Sequence, residues 1–288
     1  MTTVERLDQH LVRVGVARSR NVAQRLIRAG AVTVDGARVD KPSYAVGPAQ
    51  RVTVADHEAH QWVGRGALKL EHALTIWGQS SATPARPRSE GGPILRVAGR
   101  RCLDVGASTG GFTQVLLAHG ASHVTALDVG HGQLVPELAA DPRVRDLPGT
   151  NIRDADPAQL GQFDLVVGDV SFISLTLVLP PVLPLLADGA DVVFLVKPQF
   201  EVGRDRLARD GVVTSPAEHA RVLNEVVQSA TSLGLHLHGI EPSPVLGTHG
   251  NREYLLWLAS SAPGMMSADE TEARVRELCR PPEPEDNR

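Results

Sequence analysis

Arg101-Cys102-Leu103-Asp104-Val105-Gly106-Ala107-Ser108-Thr109-Gly110-Gly111-Phe112 is a short apolar run that breaks into glycines. Beyond it, Phe112, Val115, Leu116 and Ala118 recur at helical spacing. Strand, glycine turn and helix, in that order, form the nucleotide-binding corner of a doubly wound α/β sheet. The glycines let the backbone pass close to a ligand, and the helix N-terminus offers unpaired N–H groups to an anionic part of it. The dinucleotide fingerprint places glycine at its first, third and sixth positions. Here those are Gly106, Ser108 and Gly111, so the middle glycine that admits a pyrophosphate is missing.

Outward from this corner, Val124 to Val129 reads as a second strand carrying Asp128, 22 residues after Gly106. That is where a carboxylate meets ribose hydroxyls. A nicotinamide enzyme would show the same acid, so Asp128 alone does not discriminate. Further strands are expected at 144–147, 163–168, 191–196, 235–240 and 253–258, with a helix over 216–233. The fold class is therefore α/β, a Rossmann-like sheet whose last strand is antiparallel, because a short connection joins the last two strands. Ligands of such sheets gather at the carboxyl ends of the strands. Asp169 leaves the fourth strand there and Lys197 the fifth, and Glu253 opens the antiparallel last strand on the same edge. Lys69, from a leading helix, supplies a fourth ionisable group.

The first 56 residues form a separate pattern. Residues 1–50 hold 8 basic and 4 acidic side chains, whereas the remainder holds 21 basic and 29 acidic. Such asymmetry points the first 50 residues at a polyanion. Arg6 to Val14 reads as a helix with Leu7, Leu11 and Val14 on one face. A second helix runs from an N-cap at Ser19 to Gly30, with Arg20, Gln24 and Arg28 at four-residue steps and Arg25 beside them. Val32-Thr33-Val34, Asp35-Gly36 and Ala37-Arg38-Val39 signal a hairpin, and Arg51 to Val54 closes the unit.

Residues 57–63 read as a linker and 64–262 as the α/β domain. Within it, 79–100 is rich in Ser, Pro, Gly and Arg and reads as a flexible insertion. The stretch 263–288 is an acidic, proline-rich tail, partly disordered, with one exposed helix over 268–279. Hydrophobic content of 42% supports a core although aromatics are only 3%. Cys102 and Cys279 lie far apart without metal spacing, so no metal is expected and a reduced cytoplasmic protein is the simplest reading. The N-terminal residues lack an apolar signal core. Residues 170–187 carry no charge over 18 positions, but Pro180, Pro181 and Pro184 favour a buried crossover helix over a membrane span.

Several segments carry family resemblances. The G-x-x-x-G-G spacing of Gly106 to Gly111 resembles motif I of S-adenosylmethionine-dependent methyltransferases. That implies cofactor contacts from Gly106, Ala107, Ser108, Thr109, Gly110, Gly111 and Phe112, with Asp128, Asn151 and Asp169 near them. Residues 4–56 resemble the S4-like RNA-binding domain, which implies RNA contacts by Arg6, Arg18, Arg20, Arg25 and Arg28, mainly to phosphate and shape. Lys69, Asp169, Lys197 and Glu253 appear in the order of the catalytic tetrad of FtsJ-like ribose 2′-O-methyltransferases. With R-G-A-L-K-L, D-V-S-F-I-S, V-K-P-Q-F and N-x-E-Y-L, the chain to about residue 260 resembles the TlyA family, the haemolysin-A-like ribosomal RNA 2′-O-methyltransferases. This implies S-adenosylmethionine as cofactor and ribosomal RNA or ribosomal subunits as partner. The target implied is a cytidine ribose in 16S or 23S RNA, or both; no membrane is expected as partner, and the oligomeric state stays open, a monomer being compatible with the sequence. Lys197 is then the base, and a free lysine pKa of about 10.4 must fall at the site for it to act. The chain departs from the pattern in the 79–100 insertion and in carrying Asn151, with Asp154 three residues on, where related enzymes place an acid near adenine. Two other functions stay open at this level: an RNA-binding protein that holds S-adenosylmethionine without transferring methyl, and a membrane-lytic protein.

Overall fold

The computed structural model describes residues 4–17, 20–28, 30–54, 62–78 and 93–280, apart from the side chains of residues 21, 25, 204 and 248. The chain divides into two compact units, Met1–Val63 and Gly64–Arg288.

In the first unit β1 (Glu5–Arg6) leads into α1 (Leu7–Arg13) and α2 (Arg20–Arg28). Strands β2 (Val32–Val34), β3 (Ala37–Arg38), β4 (Ala45–Val46) and β5 (Val52–Val54) follow. β2 is the centre of an antiparallel sheet in the order β3-β2-β5, and β1 pairs with β4 in a small ribbon. The β2–β3 turn is tight because Asp35 and Gly36 both take positive φ, 51° and 82°, the geometry that matches strand twist. Leu7 and Leu11 of α1, Ala23, Leu26 and Ile27 of α2, and Val32 and Val34 of β2 make the core. The Ser19 cap lies outside the described residues.

The second unit opens with α3 (Ala67–Trp77). Then come β6 (Arg101–Val105), α4 (Gly111–Ala118), β7 (His123–Asp128), α5 (Pro136–Ala139), β8 (Val144–Pro148), α6 (Pro157–Leu160) and β9 (Phe163–Gly168). They are followed by α7 (Leu175–Val182), β10 (Leu186–Val196), α8 (Pro198–Glu201), α9 (Pro216–Ser232), β11 (His236–Pro242), β12 (Tyr254–Ala259) and α10 (Ala268–Leu278). The seven strands lie in the order β11-β12-β10-β9-β6-β7-β8. β12 is antiparallel to both β10 and β11, and the remaining pairs are parallel. The strand order turns back between β6 and β9, and their carboxyl ends form the crevice where an open sheet takes ligands.

The uncharged stretch 170–187 holds α7, whose Leu175, Val178, Leu179 and Val182 are buried. Among the described residues no helix is long and apolar enough to cross a membrane. Two expectations change. The tail helix is not exposed on all sides: Val275, Leu278 and Cys279 lie in the main core, and the nearly buried Arg274 pairs with Glu241 of β11. Residues 93–100 do not behave as a free loop either. Leu95 and Val97 are buried, and the Leu95 amide donates to the carbonyl of Trp77 at 2.9 Å. Residues 79–92 of the expected insertion, 55–61 of the linker and 281–288 of the tail lie outside the described residues.

Candidate active site

β6 is followed at once by Gly106, which takes φ 80°, a left-handed conformation that admits glycine without strain. The chain then turns over a cavity of about 310 Å³ lined by Gly106, Ala107, Ser108, Thr109, Gly111 and Phe112 on the loop side. Gly110 is the left-handed N-cap of α4. Ser108, in place of the missing glycine, is itself at φ 48°. Its amide donates to Asp128 Oδ2 at 2.8 Å, and Gly130 N donates to Asp128 Oδ1 at 2.7 Å. Asp128 thus sits at the end of β7 beside the loop, although it is not part of the cavity wall. Asn151 is more remote in role: its Oδ1 accepts from Arg153 N at 3.1 Å and caps a short 3₁₀ turn.

The far wall of the same cavity is ionic. Lys69 Nζ reaches Asp169 Oδ2 at 3.0 Å and Glu253 Oε2 at 2.7 Å. Lys197 Nζ reaches Asp169 Oδ1 at 2.6 Å and Ser171 Oγ at 2.9 Å. The four expected groups therefore meet, although 184 residues separate Lys69 from Glu253. Lys69, Lys197 and Glu253 are all buried. Burial alone would lower the Lys69 pKa, but the carboxylates of Asp169 and Glu253 outweigh it and raise it. Burial likewise works against the Asp169 carboxylate, yet the Lys197 and Lys69 ammoniums hold its pKa below the usual range. Lys69 is locked as a cation between two anions. Lys197 shares one of those anions and otherwise meets a hydroxyl.

Some of the site was not anticipated. Asp104, inside the apolar run of β6, lines the cavity and is fully buried, with Thr113 Oγ1 donating to its Oδ2 at 2.7 Å. Its Oδ1 has no partner among the described residues. Burial pushes its pKa up to about 7, against the Thr113 bond. The available signal was the acid itself, an oddity in a buried strand. A second cavity of about 900 Å³ adjoins the first through Ser171, Lys197 and Glu253, which line both. Its wall includes Phe172, Phe200, Arg153 and His249. Phe172 is 90% exposed and packs against Phe200 with ring centroids 5.0 Å apart and the rings tilted by 47°. Among the described residues no cluster of His, Cys, Asp and Glu could hold a metal ion.

In the first unit the arginines are not simply solvated. Asp8 is fully buried and accepts from Arg6 Nε at 2.9 Å, Arg20 Nη2 at 3.2 Å and Gln24 Nε2 at 2.9 Å. Both guanidiniums stay about half exposed, at 43% and 53%. Arg28 is exposed. Arg18 and the side chain of Arg25 lie outside the described residues.

Residues 62–260 match the FtsJ-like methyltransferase family and residues 5–52 the S4 domain. The chain is 46% identical over 271 residues, 94% of its length and 95% of the relative's, to the 16S/23S rRNA (cytidine-2′-O)-methyltransferase TlyA of Mycobacterium tuberculosis. It is 34% identical to Hemolysin A of Brachyspira hyodysenteriae, over 87% of this chain and 98% of that one. A structure described as a hemolysin from Streptococcus thermophilus superposes with a TM-score of 0.69 at 36% identity, covering 95% of both chains.

Proposed function

The chain belongs to the TlyA family of FtsJ-like, S-adenosylmethionine-dependent methyltransferases, and on that premise we propose that it methylates the 2′-hydroxyl of a cytidine ribose in 16S or 23S ribosomal RNA, or both. The observation that carries this reading is the meeting of Lys69, Asp169, Lys197 and Glu253 on the wall of the first cavity, with Lys197 and Glu253 lining the second as well. One cavity lies over the glycine loop and suits the methyl donor; the larger, aromatic-walled one suits a nucleotide.

The residues of the first cavity fit S-adenosylmethionine. The unpartnered Oδ1 of Asp104 suits the ammonium of an amino-acid moiety, the loop from Gly106 to Phe112 gives the backbone close approach, and Asp128 stands where ribose hydroxyls are met. The cofactor supplies an electrophilic methyl on a sulfonium. The protein must supply proton removal and alignment, because a ribose hydroxyl is a poor nucleophile until its proton leaves. Lys69, held charged by two carboxylates, does not take that proton. Its charge fixes Asp169 and Glu253, and Asp169 in turn fixes Lys197. Lys197 is the base. Positioning of the hydroxyl between it and the donor supplies much of the rate. In the second cavity the exposed face of Phe172 offers a surface on which an unstacked base can lie.

The first unit binds the RNA, through Arg28 and the free faces of Arg6 and Arg20, with Arg18 and Arg25 as further candidates. Ribosomal RNA as substrate places the work in the cytoplasm, and a single chain carries every group the reaction uses. The test is methyl incorporation from labelled S-adenosylmethionine into ribosomal subunits, followed by mapping of 2′-O-methyl positions in RNA made with and without the protein. New cytidine 2′-O-methyl marks are expected. Cofactor binding with no mark on either subunit would leave an RNA-binding protein without transferase activity.

A further inference from the structure

Resting on the reading of Lys197 as base, we infer that Ser171 is a positioning residue for the proton transfer, its Oγ aiming the Lys197 amine at the substrate hydroxyl. A lysine nitrogen has four tetrahedral directions. In Lys197 one is the bond to Cε and one points at Ser171 Oγ at 2.9 Å, whereas Asp169 Oδ1 lies at 2.6 Å as an ion-pair contact outside the hydrogen-bond directions. A direction not taken by Ser171 is open to the junction of the two cavities, both of which Lys197 lines. In the ammonium that direction carries a proton; in the amine it carries the lone pair.

Asp169 draws the ammonium by charge without fixing the direction of an N–H. An acceptor at Ser171 takes one N–H and confines the lone pair to the directions that remain, the groove among them. Ser171 is exposed, so its own hydroxyl proton is free to turn to solvent while the oxygen accepts from Lys197. The contact also strengthens as the reaction proceeds, since a neutral hydrogen bond becomes charge-assisted once the ammonium forms. Of the charged groups joined in the ionic cluster with Lys197, namely Lys69, Asp169 and Glu253, none offers a neutral acceptor.

The loop bearing Ser171 is held in register with the one bearing Lys197. Phe172, at φ 65°, takes a conformation that bulky residues seldom adopt, and its ring lies on Phe200. Ser174 Oγ donates to Glu201 Oε2 at 2.5 Å, and Leu175 N donates to Glu201 Oε1 at 2.8 Å. Residues 171, 172 and 174 are thus tied in turn to 197, 200 and 201. An exposed serine with this much support behind it is a placed group, and its replacement should leave the core intact.

The test uses the full chain, ribosomal subunits lacking the mark and labelled S-adenosylmethionine, comparing Ser171→Ala, Ser171→Thr and Lys197→Arg. Ser171→Ala should lose about 10- to 100-fold in kcat, with KM for subunits and cofactor affinity within about twofold of the parent. Ser171→Thr keeps the oxygen and should recover most of the rate. Parental kcat in Ser171→Ala, a loss confined to KM, or equal losses in the alanine and threonine variants would each overturn the inference. Turnover in a cofactor-binding Lys197→Arg protein would instead remove the base itself, a failure separate from that of Ser171.

Discussion

The arginine bias of this chain makes its lysines informative. Of 29 basic residues only Lys41, Lys69 and Lys197 are lysines, so most cationic positions here accept arginine. Two of the three stand in the ionic cluster. Arginine stays protonated at any working pH, whereas lysine can give up its proton when its surroundings favour it. Lys197→Arg is therefore expected to keep the fold and bind S-adenosylmethionine while losing methyl transfer by about 10²- to 10⁴-fold. Calorimetry and methyl incorporation on the same preparation check it. Lys69→Arg keeps the charge between Asp169 and Glu253, so its smaller loss should come from crowding by the wider guanidinium. Asp104 gives a pH prediction. Its pKa is pushed up to about 7 by burial, while in the unfolded chain it titrates near about 3.9. Between these values the native state holds the proton and the unfolded state has released it. Its contribution to stability is thus full below about pH 4 and is lost as pH rises through about 7. Asp104→Asn retains an acceptor for Thr113 and removes the titration. Across that window the melting temperature of the variant should gain on that of the parent as pH rises. Parallel melting curves at pH 5 and pH 8 would show that Asp104 does not carry the proton.

At the scale of elements, β6, the glycine turn and α4 were legible because apolar period, glycines and helical spacing all agree over a dozen residues. The convergence of Asp169, Lys197 and Glu253 was legible too, since strand ends of a parallel sheet share an edge and a short β11–β12 connection forces antiparallel pairing. What sequence pattern hid were pieces whose burial depends on a distant partner. Leu95 and Val97 follow a stretch rich in Ser, Pro and Gly, and nothing local shows that the Trp77 carbonyl will receive the Leu95 amide. Asp8 looks like an ordinary helix acid, yet it is the buried anchor of Arg6 and Arg20. α10 looks solvated because seven of its eleven residues, from Ala268 to Leu278, are charged or polar; its two large apolar side chains, Val275 and Leu278, fall on one face and are buried. Ser267 and Glu270 form a capping box that starts the helix, and Leu278, 7% exposed, completes the core. Leu278→Ala is expected to cost about 2–4 kcal/mol, read as a lower urea midpoint with an unchanged slope. A cost below about 0.5 kcal/mol, the usual size of a surface substitution, would return α10 to the surface.

At the scale of the whole molecule, the division of charge follows the division of units. The first 50 residues carry a balance of +4 and the remainder −8, so the catalytic unit on its own repels the polyanion it is proposed to modify. The burden of RNA affinity then falls on the first unit. Asp8 draws on part of the charge of Arg6 and Arg20 there, but it also holds both side chains in one geometry, which lowers the entropy lost when phosphate is bound. Removal of residues 1–56 should leave S-adenosylmethionine binding intact, because the cavity over the glycine loop is lined entirely by residues from Gly64 onward. The same truncation should abolish methylation of ribosomal subunits. For the intact protein, three to five phosphate contacts from Arg6, Arg18, Arg20, Arg25 and Arg28 give a slope of about −2 to −4 in log affinity against log salt. The truncated chain should show weak binding and almost no slope. Full methylation by the truncated chain would move RNA recognition to the catalytic unit, and an unchanged salt slope would move the phosphate contacts there with it.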